Sequence, residues 1–405
     1  MKLSKPSQLF LVSAIGLILA AYLTACNVVS IDYAYVTTSG GSSGGNTGQI
    51  YTFAADAETG ALRVVHPAVS SGGNSPIAMA VDAKYSDLYV ANEASDAVVH
   101  FAIAPDGTLS QKDSVTTAEP PVALAVNQAG TYLYVLTGTS SATLTEYSLS
   151  SGAIGSATAS QTLSVPGYAS DTLVPTAITI LPNSSDVYAA VYDSSAYSPG
   201  CASCVTSNAN PGWVFGFAVG SGGALTATAD SPYESGVKPS GMATDPTDRF
   251  VYVTDFASNQ LIGYTVLSSG ELDFMVNGPF KTGNEPGAVV VDPRGLFVYV
   301  TNGLDSTVSA YSISLPSGTP AAAISTTGST TNQTDTQPVA VTIDPALGRY
   351  VYTANHLGDS VSGFRLNPST GVIQPTIATP YPTGNGPTAV IAIPHGNHAL
   401  QTTTP

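Results

Sequence analysis

One phrase, written at intervals and out of step with itself, constrains this chain more than any other feature. "YVTNGLDSTVSAY", from Tyr299 to Tyr311, returns as "YVANEASDAVVHF" at Tyr89 and "YVTDFASNQLIGY" at Tyr252. Its opening tyrosine falls at Tyr35, Tyr89, Tyr134, Tyr188, Tyr252, Tyr299 and Tyr352, with gaps of 45 to 64 residues. From the second copy onward a proline phrase precedes it: "SPIAMAVDA", "PPVALAVNQ", "VPTAITILP", "KPSGMATDP", "EPGAVVVDP" and "QPVAVTIDP". A seventh proline phrase, "GPTAVIAIP" at Pro387, has no tyrosine strand after it, and the strand of Tyr35 has no proline strand before it. Each orphan supplies what the other lacks. Units of this length read as four-stranded antiparallel blades, so the chain is expected to be all-β, a seven-bladed β-propeller. Pairing the C-terminal proline strand with the N-terminal blade closes the ring and removes two sheet edges.

The residues after each proline agree at one register. The second is small in every copy: Ala78, Ala123, Ala177, Gly241, Ala288, Ala340 and Ala389. Innermost strands converge on the ring axis, where a larger side chain would collide. The third is apolar in every copy (Met79, Leu124, Ile178, Met242, Val289, Val341, Val390), as the space between blades requires. Charged residues make up only 9% of the chain, which suits short strands and tight turns and leaves too little Glu, Lys and Arg for long surface helices.

The first residues stand apart. "MKLSKPSQ" carries Lys2 and Lys5, and Leu9 to Leu23 is an uncharged apolar run too short to span a bilayer comfortably. It ends in Leu23-Thr24-Ala25-Cys26, which resembles a bacterial lipobox. Residues 1–25 are therefore expected to be a lipoprotein signal peptide. Residues 26–31 form a lipidated N-terminus and linker, 32–396 the propeller with an insertion at 192–211 in the fourth blade, and 397–405 a polar tail. Acyl chains on Cys26 would hold the protein to the cell envelope, and Asn27 favours an outer membrane or cell surface. Past residue 25, nine bases face 27 acids. With no basic cluster, nucleic acid is excluded as a partner.

The phrases resemble the seven-bladed lactonase propellers, the 6-phosphogluconolactonase type and related YVTN-repeat surface proteins. "YVTN" at 299–302, the stretch from Asp245 to Val253 and "ANHLGDSVSGF" from Ala354 to Phe364 carry the likeness. The resemblance implies the fold over essentially the whole mature chain and raises lactone hydrolysis as an activity. Members of that type place His or Arg directly after the blade proline. Here those positions are Ile77, Val122, Thr176, Ser240, Gly287, Val339 and Thr388, none of which titrates. Ring opening needs a base for water and donors for the oxyanion. A phosphorylated substrate also needs Arg or Lys near the channel. Arg249, Arg294 and Arg349 fall in or beside the turns between first and second strands, on the opposite face.

Loops between second and third strands, and between blades, crowd around one end of the channel. There the candidates are Glu93, Asp255 and Asn302 for ligand binding and a His356–Asp359 pair for catalysis, against the alternative that such Asn and Asp residues simply shape hairpins. Cys201 and Cys204 form an even pair in an oxidising compartment and are expected to be disulfide-bonded within the insertion. Nothing supports a cofactor or a divalent metal such as calcium. Two functions follow. The chain is an envelope propeller that binds a protein, glycan or small-molecule ligand as a monomer, the reading the neutral inner ring favours. Alternatively, it is a lactonase, a carboxylic ester hydrolase opening an extracytoplasmic sugar or related lactone.

Overall fold

A computed structural model describes residues 30–40, 47–139, 141–166, 172–194, 212–315, 317–323, 331–396 and 401. Cys26, Cys201 and Cys204 lie outside the described residues. Seven antiparallel sheets follow one another along the chain. In the fifth, for example, the inner strand Pro239–Thr244 pairs with the second, Phe250–Asp255. That strand pairs with the third, Gln260–Val266, whose far side takes Leu272–Phe274 and Phe280–Lys281. The outermost position is split into two short pieces in five blades and continuous in the second and third. Among the described residues no helix is long and apolar enough to cross a membrane.

The ring closes as the orphan phrases require. Pro387–Pro394 is the inner strand of the first blade and pairs with Ser30–Thr38, from Asp32 opposite Pro394 to Thr38 opposite Pro387.

Seven apolar clusters hold the ring, one between each pair of neighbouring blades. The third residue after each proline enters a different one: Met79, Leu124, Ile178, Met242, Val289, Val341 and Val390. The small-residue register has its reason at Gly241, where an added Cβ would lie 2.7 Å from the Gly287 carbonyl oxygen and 3.0 Å from Ala288 Cα on the next inner strand.

The opening tyrosines do more than fill space. Each is fully buried, and in six blades the phenol donates to a glycine carbonyl in the turn after the next blade's third strand. Tyr35 reaches Gly107, Tyr89 Gly152, Tyr188 Gly270, Tyr252 Gly318 and Tyr299 Gly371, at 2.6–3.0 Å. Tyr352 closes the circle on Gly60 of the first blade at 2.9 Å. Tyr134 is the exception, its hydroxyl lying beside the buried carboxyl of Glu146.

The turns between inner and second strands share a second device. Asp82, Asn127, Asp245 and Asp292 each accept two backbone N–H bonds on one side-chain oxygen, from the residues four and five further on. Asp344 caps its turn through Ala346, Leu347 and Arg349. These turns form one end of the ring, and the second-to-third hairpins form the other.

Candidate functional site

At the hairpin end, each proline begins an inner strand, and the residue after it slips out of register. Pro239 pairs with Asp255 but Gly241 with Thr254, which leaves Ser240 bulged; the same shift occurs in all seven blades. A bulge re-aims the side chain it carries. The seven bulged residues, Ile77, Val122, Thr176, Ser240, Gly287, Val339 and Thr388, are all half-buried around the axis. Their polar members turn to backbone: Ser240 Oγ donates to Pro286 O at 2.7 Å and Thr388 Oγ1 to Pro76 O at 2.6 Å. The inner wall is thus apolar or hydroxylic, and it is uncharged.

Charge enters one layer higher. In six blades the first residue of the second-to-third hairpin donates its N–H to the carbonyl of the residue preceding a blade proline. The donors are Ser39, Glu93, Gly138, Phe256, Gly303 and His356, and the acceptors Gly386, Ser75, Pro120, Lys238, Glu285 and Gln337. These two sets line the mouth. Ser75, Glu285 and Gln337 hold positive φ of 52°, 53° and 57° immediately before proline. That backbone is costly for residues with a Cβ and gathers at functional sites.

Asp255 and Asn302, expected to face a ligand, are fully buried and face the chain instead. The two oxygens of Asp255 accept the N–H groups of Val237, Lys238, Ala257 and Ser258 and the Gln260 amide. Asn302 accepts from Gly283 N and donates to Thr307 and Ser309. Both pin the segment leading to a blade proline, so their part is to position the mouth. Glu93 stands in it, half-buried in the short turn Glu93–Ser95.

His356 is also at the mouth, its Nδ1 3.1 Å from the carbonyl oxygen of Pro387 in the next inner strand. The carbonyl can only accept, so Nδ1 carries the proton and a neutral ring keeps the Nε2 lone pair. Asp359 does not orient this ring. It accepts the Gly386 N–H at 2.8 Å, while its own carbonyl takes Thr383 N. The left-handed Asp359 backbone (φ 48°) turns its carboxylate towards the closing segment, and a backbone carbonyl fills the orienting role.

The pre-proline ring also corrects the expectation that the basic candidates lie at the opposite end. Arg249, Arg294 and Arg349 are indeed in the far turns, Arg294 bound to Asp292 at 2.6 Å. Lys238, however, is at the mouth, its Nζ 4.6 Å from the Phe256 ring centre and 5.3 Å from that of Tyr192. Burial lowers the pKa of this ammonium, and Glu285 on the next blade partly restores it. The signal was its place before the proline of "KPSGMATDP", a position not weighed.

His100 is likewise more than a packing residue. It is buried with Nε2 2.7 Å from Asp87 and Nδ1 2.9 Å from Asp113, away from the mouth. A recess of about 590 Å³ near Asp87 at the turn end, and one of about 650 Å³ between the outer strands of blades five and six, also lie apart from the channel. Among the described residues no three His, Cys, Asp or Glu side chains converge as a metal-binding group.

A closed ring of seven blades with a neutral inner wall and a charged mouth defines a propeller whose chemistry belongs to its loops. The chain belongs to the lactonase seven-bladed β-propeller family, whose model matches residues 33–397. Among solved structures it is similar to a 6-phosphogluconolactonase-like protein of Bacteroides fragilis, at 18% identity over 91% of this chain and 99% of that one, with a TM-score of 0.71. The periplasmic gluconolactonase of Pseudomonas aeruginosa is similar at 18% identity, covering 90% and 99%, with a TM-score of 0.70. A 6-phosphogluconolactonase-like protein of Bacteroides uniformis matches at 17%, covering 90% and 100%, with a TM-score of 0.72. No curated protein sequence matches the chain.

Proposed function

We propose that this chain hydrolyses a lactone, and that the substrate is a neutral sugar or related lactone met outside the cytoplasm. Family membership favours this reading over the binding propeller. The observation that carries it is His356, set at the mouth with one nitrogen committed to Pro387 O and the other left basic.

Hydrolysis asks little more. A water held by Nε2 gives up a proton as its oxygen attacks the lactone carbonyl, and negative charge develops on the carbonyl oxygen. Lys238 supplies the cation of the mouth for that charge. When the ring C–O bond breaks, the imidazolium returns its proton to the departing alkoxide, leaving the hydroxy acid. Glu93, Glu285 and Asp359 share the mouth with Lys238, which disfavours a doubly charged phosphate ester and suits an uncharged lactone.

A panel of neutral and phosphorylated aldonolactones tests this. His356→Ala should cut turnover of the neutral substrates about 10²–10⁴-fold, the usual worth of a general base, with melting unchanged. Lys238→Met should lower kcat/KM as well. Because burial lowers the Lys238 pKa, activity should fall as pH rises and the ammonium is lost; Lys238→Met should abolish that alkaline limb. A wild type that opens no lactone, or turnover that survives His356→Ala, would sink the hydrolase reading. In the first case a ligand whose capture weakens on Glu93→Lys would point to the binding propeller.

A further inference from the structure

The first strand enters the ring at a definite end. Ser30 lies opposite Asp56, beside the turns between inner and second strands, whereas Thr38 reaches the hairpin end opposite Gln49. Only four peptide units separate Ser30 from Cys26, and these span at most about 14 Å however they are arranged. The nine-residue strand Ser30–Thr38 puts the mouth roughly 30 Å beyond the turn face.

Charge is divided in the same sense. Of the nine bases after residue 25, six are at the turn end. Lys84, Arg249, Arg294 and Arg349 are in or beside the inner turns, Arg365 is at the foot of the seventh blade's third strand, and Arg63 reaches Ser30 Oγ. Asp82, Asp245, Asp292 and Asp344 of these turns are buried and committed to backbone N–H groups, and Asp56, Glu58, Asp106 and Asp248 are the more exposed acids there. At the mouth end, Glu93, Asp96, Glu119 and Glu285 are joined by Asp305, Asp335 and Asp359, all half-buried or exposed, against Lys238 and Lys281.

We propose that the turn face is a lipid-facing surface. The anchored protein sits with these bases against anionic headgroups and its acidic mouth turned away from the membrane. This rests on the acylation of Cys26. A tether of about 14 Å holds the turn face within one or two Debye lengths of the headgroups (each about 8 Å at physiological ionic strength), while the mouth lies several lengths away. An anionic surface attracts the near bases, and it repels the mouth acids whenever the ring tips over. The mouth therefore stays open to soluble substrate.

The test uses the full lipidated chain in phosphatidylethanolamine vesicles containing roughly 30% phosphatidylglycerol, a composition that supplies the negative surface. A fluorophore is placed at Ser369→Cys, in the exposed turn after the seventh blade's third strand, or at Leu357→Cys, exposed at that blade's opposite tip. Both are made in a Cys201→Ser, Cys204→Ser background. Headgroup-linked nitroxide lipid should quench the Ser369 label at least threefold more than the Leu357 label. Arg349→Glu with Arg365→Glu should shrink that contrast at least twofold in these vesicles and leave it unchanged in phosphatidylcholine. Equal or inverted quenching overturns the orientation, and a contrast indifferent to charge reversal overturns the role of the bases. The mass of the N-terminal peptide reports acylation separately. An unacylated, soluble wild type overturns the anchor and the surface together, and leaves lactone hydrolysis to be judged by its own assay.

Discussion

Tyr352→Phe removes one oxygen atom and tests whether the seventh blade is latched to the first. The hydroxyl is fully buried and donates to Gly60 O at 2.9 Å across that junction. Burial raises the phenol pKa, so the donor stays protonated at any working pH. Phenylalanine keeps the ring and its packing but strands the Gly60 carbonyl where water cannot reach it. The cost is then the desolvation of one orphaned acceptor, about 1–3 kcal/mol. For a ring of this length the unfolding entropy is about 0.8 kcal/mol/K, so a loss of about 2 kcal/mol lowers Tm by about 2–3 °C. Differential scanning calorimetry resolves that shift. Tyr252→Phe, which orphans Gly318 O inside the ring, is the control and should cost the same. If Tyr252→Phe lowers Tm and Tyr352→Phe does not, the last blade is not latched to the first in solution. If neither does, the phenol–glycine bonds contribute nothing and the reasoning fails.

Two further perturbations probe the ring and one of its interfaces. Truncation after Gly384 removes the inner strand Pro387–Pro394 and should abolish cooperative unfolding, whereas removal of residues 402–405 should change it little; an unaltered melt in the first case refutes closure. Glu146 is buried beside Tyr134 and accepts from Thr158, and burial raises its pKa above that of the unfolded chain. The folded state therefore holds its proton to higher pH, and stability falls as pH climbs from the ordinary carboxylate range through the folded value. Glu146→Gln should remove that decline, so urea midpoints of variant and wild type should diverge from pH 5 to pH 8 with the variant higher; a constant gap counts against it.

The fold was legible because each blade repeats the same demands at the same register. A small residue two places after proline is required by the approach of the next inner strand, as Gly241 shows against Gly287 and Ala288. An apolar residue one place further is required by the interface it enters. Seven repetitions make such demands visible in a single sequence. The outer strands were less legible, since they are exposed on one side, and five of them break into two pieces without disturbing a cluster. The phenol–glycine bonds could not be read at all. Each joins residues 63 to 82 apart within the ring and 292 apart at its closure, a distance only the assembled ring makes short.

The mouth was only half legible, because polarity marks the end of a hairpin without saying which way a side chain turns there. Asn92, Asp255, Asn302 and Asn355 end their second strands and look alike in sequence to residues that would meet a ligand. Their backbone positions face the blade proline, so their side chains are drawn inward to the loop before it. One residue later the direction reverses. The N–H is spent on the pre-proline carbonyl, and the side chains of Glu93, Phe256 and His356 are carried to the rim. The same geometry brings in Lys238, Glu285 and Gln337 from the other partner of that bond. Variation at these paired positions can change the charge of the mouth without touching an inner strand, a second strand or an interblade cluster. A ring built this way can keep its architecture at 17–18% identity to its relatives while its substrate changes, so the chemistry of this chain is to be sought in those pairs.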